Sequence, residues 1–352
     1  MWLQGTTMNA GCTTDLAPHE HAVLFPTVAR LDSANACWIV QVRGVLFEPG
    51  KVGIRKRFLL KMLLRAMRCG PEALESEIFR SRIDHFLADG VRGRKIAVRL
   101  GDRQFTLKGR SRRAGQFSGL IRVPCEEFSA EWGGGAAPTH IELQLPAEDG
   151  RSIAAPLYCL PATGESILSD IDDTIKLSQV ESRAELLANT FLREFAPVEG
   201  MAEVFRAWAE QGAAFHYVSS SPWQLLEPLS ALCSREGFPA GSIHLSHFRL
   251  RDHMLRKLLL VRPAYKYAAI KAILRLFPER RFVLVGDSGE YDPEIYGAVA
   301  RKFPGRVSRI LIRRLPGREI AGQRLRRAGR RLAPETWVLF DEAHELPRPV
   351  CV

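Results

Sequence analysis

The chain contains no CxxC pair, and its seven cysteines (Cys12, Cys37, Cys69, Cys125, Cys159, Cys233 and Cys351) are scattered singly and odd in number. That pattern argues against a disulfide framework and points to a reducing, intracellular compartment. No stretch reaches the roughly 18 uncharged apolar residues that a membrane span needs. The apolar run at 258–261 is short and bracketed by Arg256 and Arg262, so any membrane contact is expected to be peripheral. Residues 1–20 carry Asp15 and Glu20 but no basic cluster followed by an apolar core. They do not read as a signal peptide and are expected to form a flexible tail. Internal repeats are lacking, as is any low-complexity tract beyond Gly133-Gly134-Gly135. An aromatic-studded RNA-binding signature is also missing, which makes nucleic acid the weaker of the possible partners.

What is present is apolar mass and positive charge. With 352 residues and 46% hydrophobic content, the chain has enough material for two ordinary domains. The formal charge of +11 favours anionic partners such as acidic lipid headgroups, nucleic acid or phosphorylated substrates, without choosing among them. Lysine supplies only ten of the fifty basic side chains.

From 21 to 161, short alternating segments separated by Gly, Pro and charged turns recur at 37–47, 95–100, 104–107, 116–123, 140–145 and 153–160, a spacing that predicts a β-rich, sandwich-like domain. Two helical stretches interrupt it between Lys51 and Phe86, the second opening at Pro71. From 162 to 345, apolar strands predicted at 166–169, 215–219, 242–245, 282–285 and 307–312 alternate with helices predicted at 201–211, 223–236, 266–276 and 293–302. Strands alternating with longer helices predict a parallel sheet with crossover helices, an α/β domain, and 346–352 read as a tail.

The segment Ser169-Asp170-Ile171-Asp172-Asp173-Thr174 puts three carboxylates directly after an apolar strand, where open α/β sheets bind ligands. In extended backbone, Asp170 and Asp172 point to the same side, so one is able to attack a phosphorus atom while the other handles a leaving-group proton. Packed carboxylates repel, and a hard cation such as magnesium relieves the repulsion. The alternative is a helix N-terminus decorated with acids. A second strand ends in Ser219-Ser220-Ser221-Pro222, which reads as a phosphate cradle or as an ordinary Ser-Pro helix cap. A third leads into Gly286-Asp287-Ser288-Gly289-Glu290-Tyr291-Asp292-Pro293-Glu294, with acids again at a strand's carboxyl end. The cation that a transferring phosphoryl group requires falls to Lys266, at a predicted helix start, in preference to Lys271. His216 reads as a satisfied strand residue, and His244, His247 and His253 lack a firm metal spacing.

This ordered set, DIDDT, VSSSP, Lys266 and GDSGEYDPE, resembles the four motifs of haloacid-dehalogenase-superfamily phosphatases. More narrowly, GESILSDIDDTIK, LLANTFLREFAPVEGMAEVFRAW, FHYVSSSPWQLLEPL and FVLVGDSGEYDPEIY resemble the catalytic domain of the actin-patch type of phosphatidate phosphatase. The resemblance implies a Rossmann-like haloacid-dehalogenase sheet flanked by helices. It further implies that Asp170 forms an aspartyl-phosphate and that Asp172 protonates the leaving alkoxide and then activates water. Thr174 would orient Asp172, Ser219 would hold a phosphate oxygen, and Lys266 would neutralise it. Magnesium would sit among Asp170, Asp172 (through its backbone carbonyl), Asp287 and Asp292, and Ser220 and Trp223 would contact substrate.

The implied substrate is phosphatidate, hydrolysed to diacylglycerol and phosphate at the surface of an anionic membrane. The implied location is the cytoplasm, with a peripheral position at a membrane's inner face. RKRFLLKMLLR at 55–65 reads as an interfacial helix or as a helix packing its apolar face on the β-rich domain. Residues 313–331 carry eight arginines and read as a solvated basic helix or tail. Two further readings remain open: the same chemistry on a soluble phosphomonoester, and a non-catalytic anionic-lipid-binding protein.

Overall fold

The computed structural model describes residues 12–50, 54–127, 139–178, 183–246, 263–316 and 322–347. The triple glycine at 133–135, His247, His253, the apolar run 258–261, Cys351 and part of each expected tail lie outside the described residues, as do 317–321 of the arginine-rich run. The chain divides into two compact units, one within Met1–Lys51, Asp84–Ala162 and Gly241–Ile243, the other within Val52–Ile83, Thr163–Ala240 and His244–Val352.

Nine strands form the β-rich sheet: β1 (His21–Leu24), β2 (Thr27–Asp32), β3 (Cys37–Glu48), β4 (Asp89–Gly90), β5 (Lys95–Leu100), β6 (Arg103–Arg110), β7 (Gln116–Pro124), β8 (Thr139–Leu143) and β9 (Ala154–Leu160). The long strand β3 is its axis. One edge pairs with β7 from Cys37 to Val45, while the other is shared between β2 and β1. Beyond β2 the order continues β9, β8, β5, β6. Alternation places Val40, Val42 and Leu46 of β3, Val98 of β5, Phe105 of β6, Ile121 and Val123 of β7 and Leu157 of β9 in a single core. Hydrogen bonding thus joins the expected β-rich region into one sheet curled about one core, not two separate layers.

The second sheet has the order β12-β11-β10-β13-β14-β15, from β10 (Glu165–Ser169), β11 (Ala214–Pro222), β12 (Gly241–Ser246), β13 (Arg281–Asp287), β14 (Val307–Arg313) and β15 (Trp337–Phe340). The pairings from β11 through β15 are parallel. Phe282–Val285 of β13 and Ile310–Ile312 of β14 are buried at every position, as strands covered on both faces must be. The chain leaves β10 toward β11 on one side and returns to β13 on the other, so strand order reverses around β10. At such a reversal the loops diverge and open a crevice beyond the strands' carboxyl ends.

Helices of this unit are α1 (Ile54–Met67), α2 (Glu77–Leu87), α3 (Arg183–Phe191), α4 (Met201–Glu210), α5 (Leu226–Glu236), α6 (Pro263–Leu276), α7 (Asp292–Lys302) and α8 (Gly322–Ala328). Pro71 opens a short 3-10 turn, and α2 begins only at Glu77, where the Ser76 hydroxyl accepts from the Phe79 amide. Residues 52–83, expected within the 21–161 domain, group instead with the parallel-sheet unit. The reason is visible in two places: α1 packs on α3, and the buried Arg82 guanidinium donates to the carbonyls of Asn189, Thr190 and Arg193 at the end of α3. A cation is well placed there, where helix carbonyls lack partners. Among the described residues no helix is long and apolar enough to cross a membrane.

His216, on β11, is fully buried between the rings of Phe277 and Phe282 and lies 3.3 Å from the Ser166 hydroxyl. Burial, reinforced by the charge of Arg280, pushes its imidazole down to about 3 from 6.5. Below 6.5 the unfolded chain therefore takes up a proton that the folded chain refuses, and stability falls as pH is lowered. Between about pH 7 and pH 5 this one residue should cost about 2 kcal/mol. Urea unfolding of wild type and His216→Gln at both pH values checks it: the variant should lose less stability over the interval, and equal losses would remove His216 from the account.

Candidate active site

Three strand ends and two helix starts supply the site. After β10 the Asp170 amide still donates to the Val285 carbonyl of β13 at 2.8 Å, which fixes where its side chain leaves the sheet. The chain then turns sharply: the amides of Ile175 and Lys176 both reach the Ile171 carbonyl at 3.0 Å, and Asp173 adopts a left-handed φ of 53°. This turn brings Lys176 back beside Asp172, joined by an isolated bridge.

The first carboxylate, Asp170, accepts from the Lys266 ammonium at 2.6 Å through Oδ1 and faces the Thr174 hydroxyl at 3.4 Å through Oδ2. The same ammonium bonds Asp292 at the start of α7. Lys266 is fully buried, while Lys271, farther along α6, has its ammonium 5.9 Å from the Tyr267 ring centre. Asp287, at the end of β13, accepts from the Gly289 amide at 2.5 Å and the Glu290 amide at 3.2 Å through Oδ1; its buried Oδ2 has no hydrogen-bond partner among the described residues. Asp170, Asp287 and Asp292 each offer an oxygen within 4.8 Å of the others. Gly286 makes room for this: a Cβ there would fall 2.2 Å from Asp292 Oδ2.

These acids outnumber their cation. Burial raises the Asp170 carboxyl well above the usual range, and Asp292, Glu290 and Asp287 push the same way against the pull of Lys266. Asp287 is pushed up to about 7 and Glu290 to about 8, by burial first and then by neighbouring acids, again against Lys266. Lys266 itself is held well above its ordinary value, because Asp170 and Asp292 overcome the cost of its burial. An oxygen-lined, electron-rich pocket with an orphaned carboxylate oxygen suits a hard divalent cation.

Asp172 lives differently. Its Oδ2 accepts from the hydroxyls of Ser219 at 2.8 Å and Ser221 at 2.6 Å; its Oδ1 accepts from the Ser178 hydroxyl at 2.7 Å and lies 2.8 Å from the Lys176 ammonium. Burial works to raise this carboxyl, but Lys176 and these hydroxyls outweigh it and hold it below the usual carboxylate range.

Several expectations change here. The Thr174 hydroxyl reaches Asp170, not Asp172, because the turn at Ile171 folds Thr174 back toward the strand end. Asp172 is oriented instead by Lys176 and three serines; its carboxylate lies outside the Asp170, Asp287 and Asp292 oxygen cluster, which leaves the expected contact through its backbone carbonyl untouched. Ser220 keeps a buried hydroxyl oxygen with no hydrogen-bond partner among the described residues, and its carbonyl accepts from the Ser246 hydroxyl at 2.6 Å. Trp223 is buried in the short turn before α5. Lys176 and Ser178 were missed as site residues; the four-residue pairing rule belongs to helices, and here a turn brings Lys176 to Asp172. Arg324 of α8 was missed too: it bonds both Glu294 oxygens and the carbonyls of Ser288 and Glu290, clamping the acidic loop.

Residues 165–314 match the family model described as "Phosphatidate phosphatase APP1, catalytic domain". The resemblance read from the sequence therefore holds. Phosphatidate phosphatase APP1 of Saccharomyces cerevisiae is 32% identical over 182 residues, 49% of this chain and 30% of that protein. An uncharacterized protein of Schizosaccharomyces pombe is 35% identical over 179 residues, 49% of this chain and 29% of its own length. The chain thus matches less than a third of the length of either relative. Among solved structures, a Parabacteroides merdae β-glucuronidase covers 84% of this chain and 34% of its own at 12% identity, with a TM-score of 0.24 that supports no common fold.

Removing Lys176 would leave a buried, uncompensated carboxylate, a loss of about 3 kcal/mol or more. Urea unfolding at neutral pH should show Lys176→Met destabilised by that order, and Lys176→Met with Asp172→Asn recovering most of it. No recovery in the double variant would mean that the lysine acts elsewhere.

Proposed function

We propose that this chain is a magnesium-dependent phosphatase of the haloacid-dehalogenase type, with a Rossmann-like catalytic sheet, and that it hydrolyses phosphatidate to diacylglycerol and phosphate. The observation that carries the reading is the separation of two carboxylates only two residues apart: Asp170 beside Lys266, and Asp172 beside Lys176 and the serines. Two such groups divide nucleophile from acid and base without exchanging roles. The family match over 165–314 supports the substrate class.

On this reading Asp170 attacks phosphorus, the P–O bond to the glycerol breaks, and an aspartyl-phosphate remains. Asp172 gives its proton to the leaving alkoxide and then takes one from the water that cleaves the acyl phosphate. Ser219 and Ser221 contribute a switch to that cycle. A phosphate oxygen that accepts from their hydroxyls deprives Asp172 of two donors, which raises its affinity for a proton as substrate arrives. Lys266 stabilises negative charge on the nucleophile and the transferring group. Asp170, Asp287 and Asp292 would hold magnesium, and the orphaned Asp287 oxygen fits that role. The ion supplies neutralising charge for the phosphoryl oxygens. The carboxylate of Asp172 is left out of this set, and the substrate contacts of Ser220 and Trp223 belong to the proposal. So do a cytoplasmic location and work at a membrane surface.

The test is phosphate release from phosphatidate in mixed micelles, beside a soluble aryl phosphate, with and without magnesium, for wild type and Asp170→Asn. Release from phosphatidate should require magnesium and fall at least about a thousandfold in the variant. Turnover of the aryl ester alone would move the substrate to a soluble phosphomonoester. Turnover of neither would favour a lipid-binding protein that retains the motifs.

A further inference from the structure

Helix α1 carries apolar side chains on two faces, and among the described residues one of these faces is buried. Leu63, Leu64 and Met67, with half-buried Leu60, lie on the arc that packs on α3. On the opposite arc Phe58 is 64% exposed and Met62 41% exposed, one helical turn apart. Beside them on that outward arc stand exposed Arg57, Lys61 and Arg65, a second row at four-residue spacing, and the helix contains no acidic residue. Among the described residues the other exposed large apolar side chains are Leu177 and Tyr291. Both adjoin the candidate site in sequence, Leu177 between Lys176 and Ser178 and Tyr291 beside Asp292. A chain of contacts also runs from α1 to the site: α3 supplies Asn189, which donates to the Ser178 carbonyl at 3.3 Å, and the Ser178 hydroxyl holds Asp172.

We propose that the outward face of α1 docks on an anionic phospholipid bilayer, with Phe58 and Met62 entering the headgroup boundary and Arg57, Lys61 and Arg65 meeting lipid phosphates. The charge chooses this occupant: a helix face with three cations, no acid and two exposed apolar side chains matches the mixed requirements of an interfacial helix. The inference rests on the reading of the site as one that acts on a lipid phosphomonoester, and it names the surface that brings the enzyme to its substrate.

Flotation of the full chain with vesicles tests it, using phosphatidylcholine alone and phosphatidylcholine mixed with phosphatidylglycerol, an anionic lipid with no phosphomonoester. Wild type should bind the mixed vesicles and not the neutral ones. Arg57→Gln/Lys61→Gln/Arg65→Gln should bind about a hundredfold more weakly, about fivefold for each cation. Phe58→Ser/Met62→Ser should lose at least about tenfold. Both variants should keep wild-type turnover of a soluble aryl phosphate, which shows that they fold. The proposal is overturned if wild type does not float, or if the variants float as wild type does. It is equally overturned if the serine pair only converts a self-associated form to monomer in sedimentation while vesicle binding is unchanged. Because phosphatidylglycerol binding needs no hydrolysis, a wild type that floats but turns over no phosphoester would defeat the catalytic reading and leave the docking face standing.

Discussion

The ammonium of Lys266 lies fully buried among four acids, touching Asp170 at 2.6 Å and bonding Asp292, with Asp287 and Glu290 close enough to feel its charge. One positive charge does not balance four carboxyls in a medium that screens poorly. The excess appears as raised proton affinity at Asp170, Asp287 and Glu290. Such a cluster is comfortable only when protons or another cation complete it. The positions around it serve the same constraint: Gly286 has no side chain because Asp292 needs the space, and Arg324 holds the loop between Ser288 and Glu294 from outside.

The parallel sheet makes this crowding possible. β10, β11 and β13 are neighbours with the same direction, so their carboxyl ends deliver Asp170, Ser219 and Asp287 to one edge. Asp172, three residues beyond the strand, escapes the acidic cluster because the turn at Ile171 returns Lys176 to it. Two carboxyls of identical intrinsic chemistry are therefore driven in opposite directions: burial, with the neighbouring acids, carries Asp170 up against Lys266, while Lys176 and the hydroxyls of Ser221 and Ser178 hold Asp172 down against its burial.

Helix α1 shows how one segment serves two demands. Its inward arc contributes Leu63, Leu64 and Met67 to the core of the parallel-sheet unit, and its outward arc keeps Phe58 and Met62 in solvent beside cations. The basic run at 313–331 resolves otherwise, since Arg313 donates to the Asp173 carbonyl at 3.0 Å, Arg314 pairs with Asp341, and Arg324 clamps the acidic loop. Part of that positive charge is thus scaffolding, while Arg326, Arg327, Arg330 and Arg331 stay exposed.

By itself the sequence determined that a β-rich region precedes an α/β region, and it marked part of the candidate site. Alternating short strands before 161 and apolar strands with crossover helices after it are local patterns, set by side-chain periodicity, and both sheets follow them. Asp170, Ser219, Lys266 and Asp287 were legible because each stands at a strand end or helix start that local pattern marks. The short strands β1, β2 and β15 were not singled out, because four to six residues carry too little periodicity. What tertiary structure alone decided is which groups meet: that Thr174 serves Asp170, that Lys176 and Ser178 hold Asp172, that α1 and Arg82 belong with the parallel sheet, and that Arg324 reaches back to Glu294. Those partnerships depend on turns and on separations that exceed a hundred residues for Arg82, and hydrophobic spacing holds no information about either.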